Sequence, residues 1–135
     1  MDTDTVVAGL RSPRGASARL ILAADAGLLT LAATVPLFIE YEAVCRRPEH
    51  ILAAGVGERD LTVFLDGLAD LVEPVELWFL WRPQLRDPGD ELVLEAAVNG
   101  RADALVTFNR RDFLPAADRF SMPVLLPGEA LERMR

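Results

Sequence analysis

Apolar residues recur along the chain in two patterns, one with helical spacing and one of short unbroken runs. Helical spacing predicts helices over 16–26, 37–46, 57–72, 91–99 and 128–134, with a short helical turn over 110–114. The short runs predict strands over 29–33, 75–80, 104–108 and 124–126. We expect Gly27 and Gly100 to end helices, Pro36 to lie in a first helical turn, and Pro48 to stop that helix. The alternation indicates an α/β domain with a mainly parallel sheet.

The first ten residues, MDTDTVVAGL, place two aspartates before a β-branched run. We expect Asp2 and Asp4 at or inside a first strand that continues through Val6 and Val7. In parallel sheets, binding sites form beyond the carboxyl ends of the strands. Polar residues near the predicted strand ends are therefore the candidates for function.

Composition narrows the chemistry that the chain can perform. The 135 residues carry a net charge of −7, and all 14 basic residues are arginine. Without lysine, the chain has no Schiff-base chemistry, no catalytic lysine and no P-loop. The acidic balance argues against binding nucleic acid by bulk charge alone, but it permits contact with phosphates through metal ions.

Length and hydropathy predict one domain over residues 1–135. No apolar run reaches the roughly 18 to 20 residues that span a bilayer, and the acidic N-terminus does not have the pattern of a signal peptide. The single cysteine, Cys45, excludes an internal disulfide and suits a reducing compartment. We therefore expect a cytoplasmic protein without membrane contact.

Acidic residues stand near the predicted strand ends in four separate segments. They are Asp2, Glu40, Asp90 and Asp112. Carboxylates about 4 Å apart repel each other by roughly 1 to 4 kcal/mol per pair, so a fold that gathers them needs a cation. All-oxygen ligands select a hard ion such as Mg²⁺ or Mn²⁺, which activates water and neutralises a phosphodiester. The sequence thus favours metal-dependent phosphoryl chemistry.

Simpler interpretations of the same acids stay open. Taken alone, Asp90 fits a helix N-cap and Asp112 a solvated turn residue. The opening DTDTV also matches the D-x-D-x-[TV] signature of haloacid-dehalogenase-like phosphatases, in which Asp2 would be the nucleophile. Such enzymes need a positively charged catalytic residue, usually lysine, and this chain has none. The phosphatase is therefore the weaker alternative.

Four segments give the chain a resemblance to a known family. They are DTDTVVAGLRSPRGASARLI, FIEYEAVCRRPEH, RDPGDELVLEAAVNGRADALVTFNRRDFL and MPVLLPGEAL. With E-Y-x-x-V before R-R-P, and D-P-x-D-E-x-x-L-x-x-A before A-D-x-L-V-T, the chain resembles the PIN-domain ribonucleases. It is most similar to the toxin subgroup of toxin–antitoxin systems, related to the VapC-type toxins. The resemblance implies a three-layer α/β/α sandwich with a central, mainly parallel sheet.

The resemblance also implies an activity and a site. The activity is cleavage of single-stranded RNA with Mg²⁺ or Mn²⁺, blocked by a cognate antitoxin, in a protein that forms homodimers. Carried over position by position, the catalytic residues are the four acids given above. The implied metal ligands are those acids together with the neutral Asn109.

The RNA contacts expected from the sequence are arginines near the acids, together with one hydroxyl group that could hold a water or a phosphate. They are Arg11, Arg14, Arg19, Arg110, Arg111 and Thr107. We expect modest affinity for RNA that falls with salt.

The chain departs from the family pattern at its start. Asp4 stands where the family usually has asparagine, and only Met1 precedes Asp2 where the family has an apolar first strand. We expect a truncated first strand, a poorly anchored Asp2, and an α-ammonium group close enough to compete with the metal. Together with Asn109, these features leave open a degenerate member of the fold that binds antitoxin or RNA without cutting it.

Overall fold

Eight α-helices and four short strands form from residues 1–78 and 84–134, the part of the chain that this computed structural model describes. The helices are α1 (Thr3–Arg11), α2 (Ala16–Asp25), α3 (Val35–Cys45), α4 (Pro48–Ala54), α5 (Glu58–Leu71), α6 (Pro88–Asn99), α7 (Arg110–Arg119) and α8 (Pro127–Arg133). The strands are β1 (Leu31–Ala33), β2 (Val72–Pro74), β3 (Leu105–Val106) and β4 (Val124–Leu125).

The described strands form two parallel pairs. Leu31 of β1 lies opposite Val72 of β2, and Leu105 of β3 lies opposite Val124 of β4. No hydrogen-bonded ladder joins one described pair to the other. Helix α6 packs against both β1 and β3 and so holds the two pairs in one fold. The predicted α/β class with parallel strands is confirmed, although the described strands do not form one continuous sheet.

The N-terminal segment is a helix, and the first strand predicted there is wrong. Asp2 caps α1 with its side chain, while Val6, Val7 and Leu10 have helical spacing and are buried. Burial of this apolar face outweighs the small helix-propensity cost of β-branched residues. One strand-like contact remains, because the backbone N–H of Asp2 donates to the carbonyl oxygen of Val106 in β3 at 3.0 Å.

Three other boundaries differ from the prediction. Strand β2 begins at residue 72 and not at residue 75; residues 75–78 form no strand, and 79–80 lie outside the described residues. Pro48 begins α4, since proline fits the first turn of a helix as well as it ends one. The turn predicted over 110–114 extends to Arg119 as α7, with Pro115 inside it.

The core is built from the apolar faces of the helices and from β3. Among its most enclosed side chains are Val6, Leu37, Leu61, Leu105 and Phe113. No helix within residues 1–78 and 84–134 is long and apolar enough to cross a membrane.

Candidate active site

Asp2 is the most enclosed of the four candidate acids, with 3% of its surface exposed. Its Oδ1 accepts hydrogen bonds from the backbone N–H of Thr5, at 3.0 Å, and from the Thr5 hydroxyl. Its Oδ2 accepts from the hydroxyl of Thr107 at 2.6 Å. Donors on both sides fix the carboxylate, so the expectation of a poorly anchored Asp2 is wrong.

Glu40 links the starts of α1 and α6. It projects from α3, and its Oε2 accepts a hydrogen bond from the hydroxyl of Thr3 at 2.6 Å. Its Oε1 lies against Gly89 in the first turn of α6, where a Cβ atom would come within 2.5 Å of that oxygen. Glycine at position 89 therefore lets α6 approach Glu40 closely.

Asp90 lies in the first turn of α6 and carries the most perturbed carboxylate of the site. Burial raises its pKa, and the charges of Asp87, Asp112, Asp2 and Asp4 raise it further, to about 7. Within the described residues, no hydrogen bond to the Asp90 carboxylate is formed. Acids from the starts of α1, α6 and α7 thus act on one half-buried carboxylate.

Asn109 caps the start of α7 and contacts a neighbouring acid. Its side-chain amide donates to Oδ2 of Asp4 at 3.2 Å, and its backbone N–H donates to Oγ1 of Thr107 at 2.9 Å. Asp112, in the first turn of α7, is exposed. Asp4, which was not among the predicted metal ligands, is therefore part of the site.

A cleft of about 570 Å³ opens beside Asp90 and Asp112. Its lining residues are Gln84, Leu85, Arg86, Asp87, Asp90, Arg111, Asp112 and Pro115. Sequence reasoning missed Gln84 and Arg86 as site residues; their position just before the D-P-G-D turn is the signal that could have suggested them. The two arginines provide positive charge at a cleft that is otherwise acidic.

Glu91 holds the wall of this cleft. Its side chain is 6% exposed, and its Oε1 accepts from the backbone N–H of Leu85 at 2.6 Å and from that of Gln84. A buried carboxylate that receives two backbone donors is well compensated. This contact fixes the segment that carries Arg86.

Three of the predicted phosphate contacts lie away from the cleft. Arg11 is the last residue of α1, whose nine residues separate it by about 13 Å from the capped end at Asp2. Arg14 follows in the loop and Arg19 lies on α2. None of these three arginines lines the cleft. The sequence placed them near Asp2 because it treated the N-terminal segment as a strand end.

The other three predicted RNA contacts lie in different environments. Arg111 lines the cleft. Arg110 instead pairs with Glu129 of α8. Thr107 is fully buried, donates its hydroxyl to Asp2 and accepts from the backbone at position 109. Its hydroxyl therefore orients an acid and is not presented to a phosphate, which corrects the sequence-based expectation.

A divalent cation fits this set by donor type and charge. The donors are carboxylate and amide oxygens, which hard cations prefer, and no arginine within the described residues pairs with Asp90. Among those residues, however, no three acidic, histidine or cysteine side chains already converge on one point that could hold an ion. Binding an ion to several of these acids therefore requires side chains to move.

The fold and the site together define an α/β protein whose acidic cleft lies at the starts of helices that follow parallel strands. A family model described as PIN domain matches residues 1–111, and the chain belongs to this family. PIN domains are typically nucleases and generally use divalent metal ions. The match includes Asp2, Glu40, Asp90 and Asn109, and it ends one residue before Asp112.

No curated protein and no solved structure was found to match the chain. The family match disfavours the phosphatase alternative.

Proposed function

We propose that the protein is a divalent-metal-dependent endoribonuclease that hydrolyses single-stranded RNA, with Mg²⁺ or Mn²⁺ as its cofactor. One observation carries the proposal: burial, together with the charges of acids from three helices, raises the pKa of Asp90 to about 7 beside an open cleft. Mutual repulsion of this kind is relieved by a cation, and family membership gives the cation a nucleolytic use.

In this proposal Asp2, Asp90 and Asp112 hold the ion, with Glu40 and Asn109 at the edge of the set. The bound ion supplies a Lewis acid that lowers the pKa of water and neutralises the phosphodiester. The threonine hydroxyls around Asp2 keep its carboxylate in place, so less side-chain freedom is lost when the ion binds.

The cleft residues would handle the substrate and the proton. Arg86 and Arg111 stand where they can contact RNA phosphates, as point contacts on an otherwise acidic chain. In the metal-free protein the pKa of Asp90 is about 7. A bound cation would lower that pKa, and the extent of this decrease would decide whether Asp90 can also transfer a proton.

The decisive experiment replaces Asp90 with asparagine. Cleavage of a mixed-sequence single-stranded RNA in Mg²⁺ should fall at least about 100-fold in Asp90→Asn, because the change removes a ligand charge and a titratable group. The matched control is Asp66→Asn on the exposed face of α5, which should cleave like the unmodified chain. Circular dichroism checks that both variants fold. Equal cleavage by Asp90→Asn and the unmodified chain would show that Asp90 is not part of the catalytic site.

A second candidate is a degenerate PIN domain that binds RNA or an antitoxin without cutting. Two observations favour it: both oxygens of Asp2 are occupied by hydroxyl donors, and the described acids do not converge on an ion. The same assay separates the candidates. A chain that binds RNA in Mg²⁺ but leaves it intact, with or without Asp90, is the binding module.

The biological setting that we propose is that of a cytoplasmic toxin held by a cognate antitoxin, with the protein as a homodimer. Support comes from exposed apolar side chains on α3, the helix that carries Glu40. Val35 is 66% exposed and Ile39 59% exposed, and their spacing puts them on one face. An apolar face beside the site suits a protein that covers the cleft.

A further inference from the structure

The peptide group between Met1 and Asp2 is hydrogen-bonded at both of its polar ends. Its carbonyl oxygen accepts from the hydroxyl of Tyr41 at 2.5 Å, and its N–H donates to the carbonyl oxygen of Val106 in β3 at 3.0 Å. A peptide group is planar, so bonds at its two ends fix both its position and its rotation. The backbone that carries Asp2 is therefore held between α3 and β3.

Helix α3 reaches both neighbours of Asp2 with two consecutive residues. Glu40 accepts from the hydroxyl of Thr3 at 2.6 Å. Tyr41, the next residue, donates to the carbonyl oxygen of Met1. The nitrogen of Met1 is buried as well, and burial lowers the pKa of its α-ammonium. The segment before α1 is therefore enclosed, and α3 holds it on either side of the candidate acid.

Tyr41 is a core side chain with a polar atom that packing alone does not require. Only 3% of its surface is exposed, and its ring packs edge-on against that of Phe38 with centroids 5.9 Å apart. Burial raises the pKa of its hydroxyl, and the charges of Asp2 and Glu40 raise it further, so the hydroxyl keeps its proton and remains a donor. Phenylalanine would fill the same space without a polar group to satisfy. The hydroxyl is thus explained by the bond that it makes and not by packing.

We propose that Tyr41 is a positioning residue for Asp2. Its hydroxyl holds the peptide group before this acid and so keeps the carboxylate where a cation binds. The inference rests on the proposed function, in which Asp2 is a ligand of the ion. Residues that hold a metal ligand in place affect metal affinity or activity by about 10- to 100-fold. Tyr41 does not line the cleft, so its contribution falls on the metal and the chemical step and not on the binding of RNA.

The test replaces Tyr41 with phenylalanine, which removes the hydroxyl and keeps the ring. In Mg²⁺, the kcat of Tyr41→Phe for single-stranded RNA should fall about tenfold, because the carboxylate of Asp2 is less often in place. The KM for RNA should stay within about twofold of that of the unmodified chain, because no contact to the substrate is lost. Thermal melts check that the variant is folded at the assay temperature.

A second measurement does not depend on cleavage. The backbone N–H of Thr5 donates to Oδ1 of Asp2 at 3.0 Å, so its hydrogen exchange reports whether the carboxylate is in place. In Tyr41→Phe this amide should exchange at least about fivefold faster relative to the amide of the buried Leu94. If the unmodified chain leaves RNA intact, the proposed function fails, whereas faster exchange at Thr5 still shows that Tyr41 positions Asp2.

A double-mutant cycle ties the effect to Asp2. In an Asp2→Asn chain no carboxylate remains to be positioned, so adding Tyr41→Phe should leave the affinity for Mn²⁺ unchanged. With Asp2 present, the same change should weaken that affinity about tenfold. Titration with Mn²⁺ alone measures both. An equal loss of affinity in the two backgrounds would show that Tyr41 does not act through Asp2.

The matched control is Thr34→Val at the start of the same helix. The Thr34 side chain is buried and caps α3 by accepting from the backbone N–H of Leu37 at 3.2 Å. Loss of this cap should lower the melting temperature but leave kcat and the relative exchange at Thr5 unchanged. Four results for Tyr41→Phe would each overturn the proposal: an unchanged kcat in an active chain, unchanged exchange at Thr5, a rise in KM in place of the fall in kcat, or a fall in kcat that Thr34→Val matches.

Discussion

Two aspartates of the candidate site occupy opposite electrostatic environments. Asp2 is surrounded by donors from Thr5 and Thr107, whereas Asp90 is surrounded by other carboxylates. A carboxylate with several donors is stabilised in its charged form, and one among like charges is stabilised in its neutral form. The two residues therefore have different tasks, with Asp2 held in one position by its donors and Asp90 as the one whose charge responds to its surroundings.

The raised pKa of Asp90 predicts how stability depends on pH. Its pKa is about 7 in the folded chain against an ordinary 3.8, so the folded state binds this proton more tightly than the unfolded state does. The resulting stability is fully present below about pH 4 and is lost as the pH rises through 7.

Melting temperatures between pH 4 and pH 8 in a chelator check this prediction. Asp90→Asn should lack the loss seen in the unmodified chain, and Mg²⁺ should remove the loss from the unmodified chain. If both chains follow one curve, Asp90 does not have the raised pKa.

Adjacent arginines at the start of α7 offer a second residue-scale prediction. Arg111→Ala should raise the KM for RNA several-fold, because this side chain lines the cleft. Arg110→Ala should leave KM nearly unchanged and lower the melting temperature, because Arg110 pairs with Glu129 and connects α7 to α8. Steady-state cleavage and thermal melts of both variants separate the roles. A larger KM effect at position 110 would reverse the assignment.

The acids of the site could be predicted from the sequence, but their partners could not. Acidic residues at helix starts and strand ends form a pattern that is visible along the chain. The hydroxyl that holds Asp2 comes from Thr107, 105 positions away, and only the folded chain brings the two together. The same holds for Asp4 and Asn109.

At the scale of elements, α1 shows how a local preference is overridden. The β-branched run Thr5-Val6-Val7 favours a strand, but Val6, Val7 and Leu10 also have helical spacing, and Asp2 is a good N-cap. Burial of the helical face decides between the two. Longer helices such as α5 and α6 were predicted to within a few residues because periodicity is strong over three or four turns.

Strands were harder to place than helices. Strands β3 and β4 have two residues each, and strand β2 has three residues that are mostly exposed. Runs this short show little periodicity. The apolar segment 75–80, which follows β2, was therefore predicted as the strand in its place. Pairing with β1 fixes the register, and the sequence does not contain that information locally.

The two Pro-Gly helix starts give a matched element-scale prediction. Gly89 is the second residue of α6 and Gly128 the second residue of α8. Alanine is favoured over glycine in helices by up to about 1 kcal/mol. Gly128→Ala should stabilise the protein, because nothing lies within 4 Å of the new Cβ.

Gly89→Ala should instead give no such gain, because the new Cβ would come within 2.5 Å of Glu40 Oε1 and the Glu40 side chain would have to shift from its hydrogen bond with Thr3. Urea midpoints of the two variants check the difference. Shifts of the same sign and size would mean that Glu40 does not lie against α6.

At the scale of the whole molecule, the parallel direction of the strands followed from the sequence, but the gap between the strand pairs did not. Alternation of helices and strands implied parallel pairing. Whether neighbouring strands meet depends on packing that crosses the whole chain, and here α6 contacts β1 and β3 without bringing them into hydrogen-bonding contact in the described residues.

Cys45 provides a probe of the whole fold. It is fully buried, and burial raises the pKa of its thiol to about 11. At pH 8 only roughly one thiol in a thousand would then be ionised, and it lies beyond the reach of reagents. Reaction with a disulfide reagent should be at least about 100-fold slower in the folded chain than in guanidinium. Rapid native labelling would show that the region around Cys45 opens readily.

The buried nitrogen of Met1 has one more consequence, which follows from the absence of lysine. The 135 residues contain no lysine, so this α-amine is the only primary amine among them. Succinimidyl dyes, aldehyde fixatives and amine-coupled sensor surfaces all react with primary amines. Here the amine that they would react with is the buried nitrogen of Met1. Where they do react, they tether the protein beside Asp2 at the start of α1, so immobilisation through an added tag leaves the candidate site unmodified.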